Sequence, residues 1–148
     1  MSLLDDLKNA QIDAMRARAK LRLGTIRMAL AAVKQREIDE RIELTDDDVI
    51  ALLTKMVKQR KDAASQFAQA NRQDLVDTEL AEIVILQDFL PQALSDKQLN
   101  DLIDQAMVET SASSMQDMGK VMAWLKPKVQ GRTDMGKLSG QIKAKLSN

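Results

Sequence analysis

No cysteine and no histidine occur among the 148 residues. Their absence excludes thiol nucleophiles, disulfides, zinc sites built from Cys and His, and the usual general base at neutral pH. Aromatic side chains are nearly as scarce. Phe67, Phe89 and Trp124 are the only three, too few for a row of base-stacking platforms on single-stranded nucleic acid. The five glycines, at 24, 119, 131, 136 and 140, are dispersed, so no glycine-rich loop is available to cradle a phosphate. Apolar runs are short: Ile83-Val84-Ile85-Leu86 and even the longest, Met28-Ala29-Leu30-Ala31-Ala32-Val33, fall far short of the roughly 18 residues a membrane span requires. The start, Met1-Ser2-Leu3-Leu4-Asp5-Asp6, is acidic early and has no basic segment. A cytoplasmic protein without a targeting peptide or membrane association is expected. Lys plus Arg and Asp plus Glu both number 22, so any attraction to a polyanion must come from local clustering.

What is abundant is Ala, Leu, Lys, Gln, Asp and Met, with β-branched runs nearly absent. This composition predicts an all-α protein. A first helix starts near Ser2 or Leu3, and the pattern breaks around Lys20–Gly24. A second helix runs to about Arg41. A third is capped by Thr45, with Asp48 completing a capping box, and extends to Asn71 or Arg72. A fourth covers about Leu75 to Leu90 and ends at Pro91. Pro91 is taken as a domain boundary, giving an N-terminal helical domain over 1–90 and a C-terminal three-helix domain over 91–148. In the latter, Ser95 caps a helix reaching Met107, Thr110–Ser114 forms a loop, and Met118–Leu125 forms a short helix stopped near Pro127. Gly131-Arg132-Thr133 turns into a last helix through Leu146. The pentads Asp117-Met118-Gly119-Lys120-Val121 and Asp134-Met135-Gly136-Lys137-Leu138 read as two similar helix starts. In each, Asp caps free N–H groups and Gly admits a neighbouring backbone.

Charge is balanced overall but segregated. Ala14–Arg36 contains seven cations and no acid. Gly119–Asn148 contains seven cations against Asp134 alone, whereas Pro91–Met118 contains only Lys97 against five acids. Lys120, Lys126, Lys128, Arg132 and Lys137 lie around a proline break and a glycine turn. Helix ends there can add backbone N–H groups to side chains on a phosphate. The bland alternative is a solvated helical surface whose Lys and Arg stems cover apolar neighbours. The cluster Lys55, Lys58, Arg60 and Lys61 reads as salt-bridge surface, and Asp46-Asp47-Asp48 as a helix start rather than a metal site. No nucleophile–base pair is marked, so catalytic residues, metal ligands and cofactors are all expected to be none. The nine methionines suit an adaptable core.

Several runs then stand together: Val57-Lys58-Gln59-Arg60-Lys61-Asp62, Phe67, Ala70-Asn71-Arg72, Leu90-Pro91, Asp117-Met118-Gly119-Lys120-Val121-Met122, Pro127-Lys128-Val129 and Gly131-Arg132. In order and spacing they resemble the GatB/YqeY family over essentially the whole chain, and its free-standing YqeY-like members in particular. The resemblance implies an all-helical protein whose C-terminal part is similar to the tail domain of the B subunit of glutamine-dependent aminoacyl-tRNA amidotransferase. That tail helps hold tRNA, while amide transfer occurs in another domain with no counterpart here. The resemblance therefore implies tRNA association. The family-level carbon–nitrogen ligase activity with glutamine as amido donor finds no residues here to carry it alone. The RNA-binding positions carried over are Gly119, Lys120, Lys128, Gly131 and Arg132; Lys126 and Lys137 join them on charge. The expected partners are tRNA and, behind it, an amidotransferase or aminoacyl-tRNA synthetase. The alternative is a protein–protein adaptor without RNA affinity, docking through Met118, Met122 and Trp124.

Overall fold

The computed structural model describes residues 2–147. Those residues form seven α-helices and no strand: α1 (Leu3–Arg16), α2 (Lys20–Glu40), α3 (Asp46–Gln69), α4 (Gln73–Gln87), α5 (Asp96–Glu109), α6 (Met118–Val129) and α7 (Met135–Ser147). A 3₁₀ turn, Met115–Asp117, leads into α6. The helices divide into two compact units, the first ending at Leu90 and the second beginning at Pro91.

Three helices start as reciprocal capping boxes. Asp5 N–H donates to Ser2 Oγ at 3.1 Å, Asp48 N–H to Thr45 Oγ1 at 3.2 Å and Gln98 N–H to Ser95 Oγ at 3.1 Å. The side chains of Asp5, Asp48 and Gln98 accept in return from the backbone N–H of Ser2, Thr45 and Ser95. Each box satisfies two donors that a helix start otherwise leaves to water. Asp46 is used similarly, accepting from Leu3 N–H at 3.0 Å.

The helix ends differ from the sequence expectation. The break between α1 and α2 falls at Ala17–Ala19, not at Lys20–Gly24, and Gly24 lies inside α2 with nothing within 4 Å of where a Cβ would stand. The cause is Arg18, which adopts a left-handed conformation at φ 56°. Arg41, Asn71 and Ser111 do the same after α2, α3 and α5. In each case the next residue reaches back five positions, as Ala19 N–H does to Ala14 O at 3.0 Å and Arg72 N–H to Phe67 O at 2.9 Å. This is the closing bond of a Schellman motif. After α6 the left-handed residue is a glycine, Gly131 at φ 74°, and the bond there closes a β-turn instead, Arg132 N–H to Val129 O at 2.8 Å.

Pro127 does not stop α6, which continues to Val129. The proline removes one intrahelical donor in the last turn. Val129 is fully buried in the core of its unit, and that burial, of order 2 kcal/mol for a valine-sized side chain, holds the remaining turn.

The first unit's core contains Leu7, Ile26, Val33, Val49, Leu53 and Leu86. α3 and α4 lie side by side, joined by Arg60 and Glu82. The guanidinium Nε donates to the Glu82 carboxylate at 2.8 Å, and the two side chains are only 13% and 16% exposed. Arg60 also donates to Met56 O at 3.3 Å. The second unit's core contains Leu99, Ile103, Val121, Leu125, Leu138 and Ile142, with α6 packed against both α5 and α7.

Removing one partner of a largely desolvated pair strands the other charge. Glu82→Ala is therefore expected to lower the unfolding free energy by about 2–3 kcal/mol in urea titrations. The double variant Arg60→Met/Glu82→Leu should recover most of that loss. A Glu82→Ala loss below about 0.5 kcal/mol would mean the pair is screened like a surface bridge.

Candidate nucleic-acid interface

α6 holds three of the expected cations. A helix advances about 100° per residue, so Lys120, Trp124 and Lys128, four residues apart, form one stripe along a flank of α6. Val121, Leu125 and Val129 form the adjacent buried stripe. Lys126 lies about 200° around from Trp124, on the opposite flank. The structure thus brings Lys120 and Lys128 onto one surface and places Lys126 on another.

Lys128 is folded onto the indole. Its ammonium lies 3.9 Å from the Trp124 ring centroid and donates to Trp124 O at 3.4 Å. Trp124 is half-buried and packs against the core, as do Met118 and Met122. The indole is therefore shared between the core and the lysine. Lys120 is well exposed and faces Asp117 at 3.6 Å. Asp117 in turn accepts from Ser113 N–H at 2.8 Å and Ser114 N–H at 3.2 Å. Those two backbone donors, and then the Lys120 charge, hold its carboxyl below the usual carboxylate range despite an opposing desolvation effect.

The paired Asp-Met-Gly-Lys segments are not built alike. Asp117 binds N–H groups that precede it. Asp134 binds those that follow, Gly136 at 2.8 Å and Lys137 at 3.4 Å. The expectation that each glycine admits a neighbouring backbone does not hold. A Cβ at Gly119 would meet nothing within 4 Å, and one at Gly136 would meet only the capping Asp134 oxygen at 3.3 Å.

Arg132 serves the fold of its unit. Its Nε donates to Gln92 O at 2.9 Å, and its own carbonyl accepts from Leu94 N–H at 2.8 Å. It thereby ties the segment before α5 to the turn after α6, with Gly131 supplying the left-handed step. Lys137 faces Asp96 at 3.5 Å, and Lys145 is bonded to Asp104. Both pairs join residues 41 positions apart, so α5 and α7 run in the same direction with matching rungs. The acidic α5 thus neutralises part of the basic α7. The sequence shows that charge segregation but not the alignment that cancels it.

The basic run of the first unit, noted in the sequence but not carried into the expected site, holds further cations. Arg16, Arg18, Lys20, Arg27 and Lys34 are exposed, and none has an ion-pair partner among the described residues. The acid-free run from Ala14 to Arg36 is their signal, and seven-residue spacing is what places three of them together.

The YqeY-like protein family matches residues 4–146. "Altered inheritance of mitochondria protein 41, mitochondrial" of Kluyveromyces lactis is 33% identical over 147 residues, covering 97% of this chain and 73% of that protein. The protein of the same name from Lachancea thermotolerans is 32% identical over 133 residues, covering 83% and 71%. An uncharacterised Schizosaccharomyces pombe protein is 32% identical over 90 residues, covering 61% and 73%. The first two names carry a mitochondrial designation rather than the cytoplasmic location expected from the sequence. No helix among the described residues is long and apolar enough to cross a membrane.

Two outcomes follow from the geometry. Arg132→Ala should raise the hydrogen-exchange rate of the Leu94 amide about tenfold, the equivalent of one charge-assisted hydrogen bond; an unchanged rate would remove Arg132 from this role. Because the folded state depresses the Asp117 carboxyl, its stabilisation is complete above the unfolded value of 3.8 and is lost as pH falls through the lower folded value. The melting-temperature advantage of the wild type over Asp117→Asn should therefore shrink between pH 5 and pH 2, in a thermal-melt series, and a gap independent of pH would contradict it. A match over residues 4–146 and the observed all-helical architecture together place this chain in the YqeY-like protein family.

Proposed function

We propose that the chain is a tRNA-associated accessory protein, working beside an enzyme of aminoacyl-tRNA metabolism such as a glutamine-dependent amidotransferase or an aminoacyl-tRNA synthetase. The observation that carries the reading is the Lys120–Trp124–Lys128 stripe of α6, two cations flanking a half-buried indole on one helix flank. The resemblance of this part of the chain to an amidotransferase tail supports the choice of tRNA. Recognition through backbone charge and shape suits the residues available, since only one aromatic lies there.

The existing contacts leave the grip available. Lys120 holds Asp117 at 3.6 Å and Lys137 holds Asp96 at 3.5 Å, with both lysines more than half exposed. Exposed pairs of this kind contribute about 0–1 kcal/mol, so a phosphate can displace either carboxylate at small cost. Lys126 extends the charge to the other flank of α6. Gly131 and Arg132 set the shape of the turn between α6 and α7.

Titration with total tRNA tests the reading. The wild type should bind at about 50 mM salt and weaken steeply toward about 200 mM. Lys120→Glu/Lys126→Glu/Lys128→Glu should lose about tenfold or more in affinity with helix content unchanged. Arg132 is left intact so that loss of its Gln92 bond does not confuse the result. Absence of binding at about 50 mM salt, or wild-type affinity in the triple variant, would contradict the proposal.

A further inference from the structure

The cations from Ala14 to Arg36 are sorted by the structure into committed and uncommitted groups. Arg22 is held by Asp88 at 2.9 Å and lies over the Phe89 ring, and Arg36 is held by Glu40 at 2.6 Å. Lys20, Arg27 and Lys34 are exposed and take no carboxylate among the described residues. They stand seven residues apart on one helix, so they share a face. Successive cations are about 10.5 Å apart and the three together span about 21 Å.

Between them on the same face lie Gly24 and Ala31, both exposed, and a Cβ at Gly24 would meet nothing within 4 Å. The ridge is low and carries no acid. The acids at the end of α2 are already engaged: Glu37, which lines one pocket with Lys34, Glu43 and Asp46, accepts from Leu44 N–H at 3.0 Å, Asp39 accepts from Gln35 at 2.9 Å, and Glu40 accepts from Arg36. α2 also begins without a side-chain cap and without an acid in its first turn. Lys20 there opposes the positive end of the helix dipole, an arrangement that an external anion relieves.

We infer that the outer face of α2 is a second polyanion-binding surface, taking the phosphodiester backbone of RNA across Lys20, Arg27 and Lys34. A span of about 21 Å exceeds the reach of a single phosphate group, which points to a polymer rather than a nucleotide or free phosphate. An anionic lipid surface is the poorer fit. Membrane-surface helices sink a continuous apolar face beside their cations, whereas α2 buries Ile26, Ala29 and Val33 in the core and, of its large apolar side chains, leaves only the separated Leu21, Met28 and Ile38 exposed. Choosing RNA as the polyanion rests on the proposed tRNA association; the surface itself is additional to the α6 stripe.

The test compares full-length wild type, Lys20→Glu/Arg27→Glu/Lys34→Glu and the α6 triple variant for total-tRNA affinity between about 50 and 200 mM salt. The α2 variant should lose about tenfold or more, and its log–log salt slope should be shallower by about 2–3. Helix content by circular dichroism accompanies each measurement. If the Glu variant melts early, Lys20→Gln/Arg27→Gln/Lys34→Gln replaces it, with the same expected change in slope. Wild-type affinity and slope in the α2 variant, alongside a loss in the α6 variant, would overturn this inference and leave the α6 reading standing. Loss in the α2 variant alone would support the inference and overturn the α6 assignment. No tRNA binding by the wild type at about 50 mM salt would overturn both. Binding to phosphatidylserine vesicles that depends on the same three residues, with tRNA affinity unchanged in the variant, would overturn the choice of RNA.

Discussion

A cation that already holds a carboxylate must release it before it can hold a phosphate. That constraint divides the basic residues of this chain. In the second unit, α5 runs alongside α7 in the same direction, and its Asp96 and Asp104 meet Lys137 and Lys145. In the first unit, Arg60 is committed to Glu82 and Arg22 to Asp88. Lys20, Arg27 and Lys34 on α2 are uncommitted, while Lys120 and Lys128 on α6 are held only by an exposed pair and an indole face. A formal net charge of zero thus coexists with local surfaces of one sign, and the proposed tRNA association draws on those surfaces rather than on bulk charge.

The helix starts were legible because their chemistry is local. Thr45 with Asp48 and Ser95 with Gln98 are patterns a reader can find in four consecutive residues, and both form reciprocal boxes. The stops were less legible. Four of them use Arg18, Arg41, Asn71 and Ser111 in a left-handed conformation, which costs a side-chain-bearing residue about 1–2 kcal/mol. That cost is met by the Schellman bond and by the packing of whatever follows, neither of which is written at the residue itself. Pro127 misled for a related reason. A proline signals a stop locally, but the buried Val129 two residues later holds the last turn of α6.

The candidate site was legible as composition and not as geometry. The acid-poor C-terminal run identified Lys120, Lys126, Lys128, Arg132 and Lys137 together, yet helical periodicity sends Lys126 to the opposite flank. Arg132 is occupied by Gln92. The pairing of Lys137 with Asp96 spans 41 positions and depends on the relative direction of α5 and α7, which no local pattern encodes. The α2 ridge was available from seven-residue spacing alone, and only the absence of ion-pair partners among the described residues distinguishes it from an ordinary salt-bridged helix surface.

The central claim is that polyanion contact follows the uncommitted and loosely held cations. Amide chemical-shift mapping of the full chain with tRNA tests it residue by residue. The account predicts perturbations concentrated over Lys20–Lys34 and Met118–Lys128, with the amides around Asp104 and Lys145 little changed. Shifts confined to the Asp104–Lys145 rung, or spread evenly over both units, would contradict it.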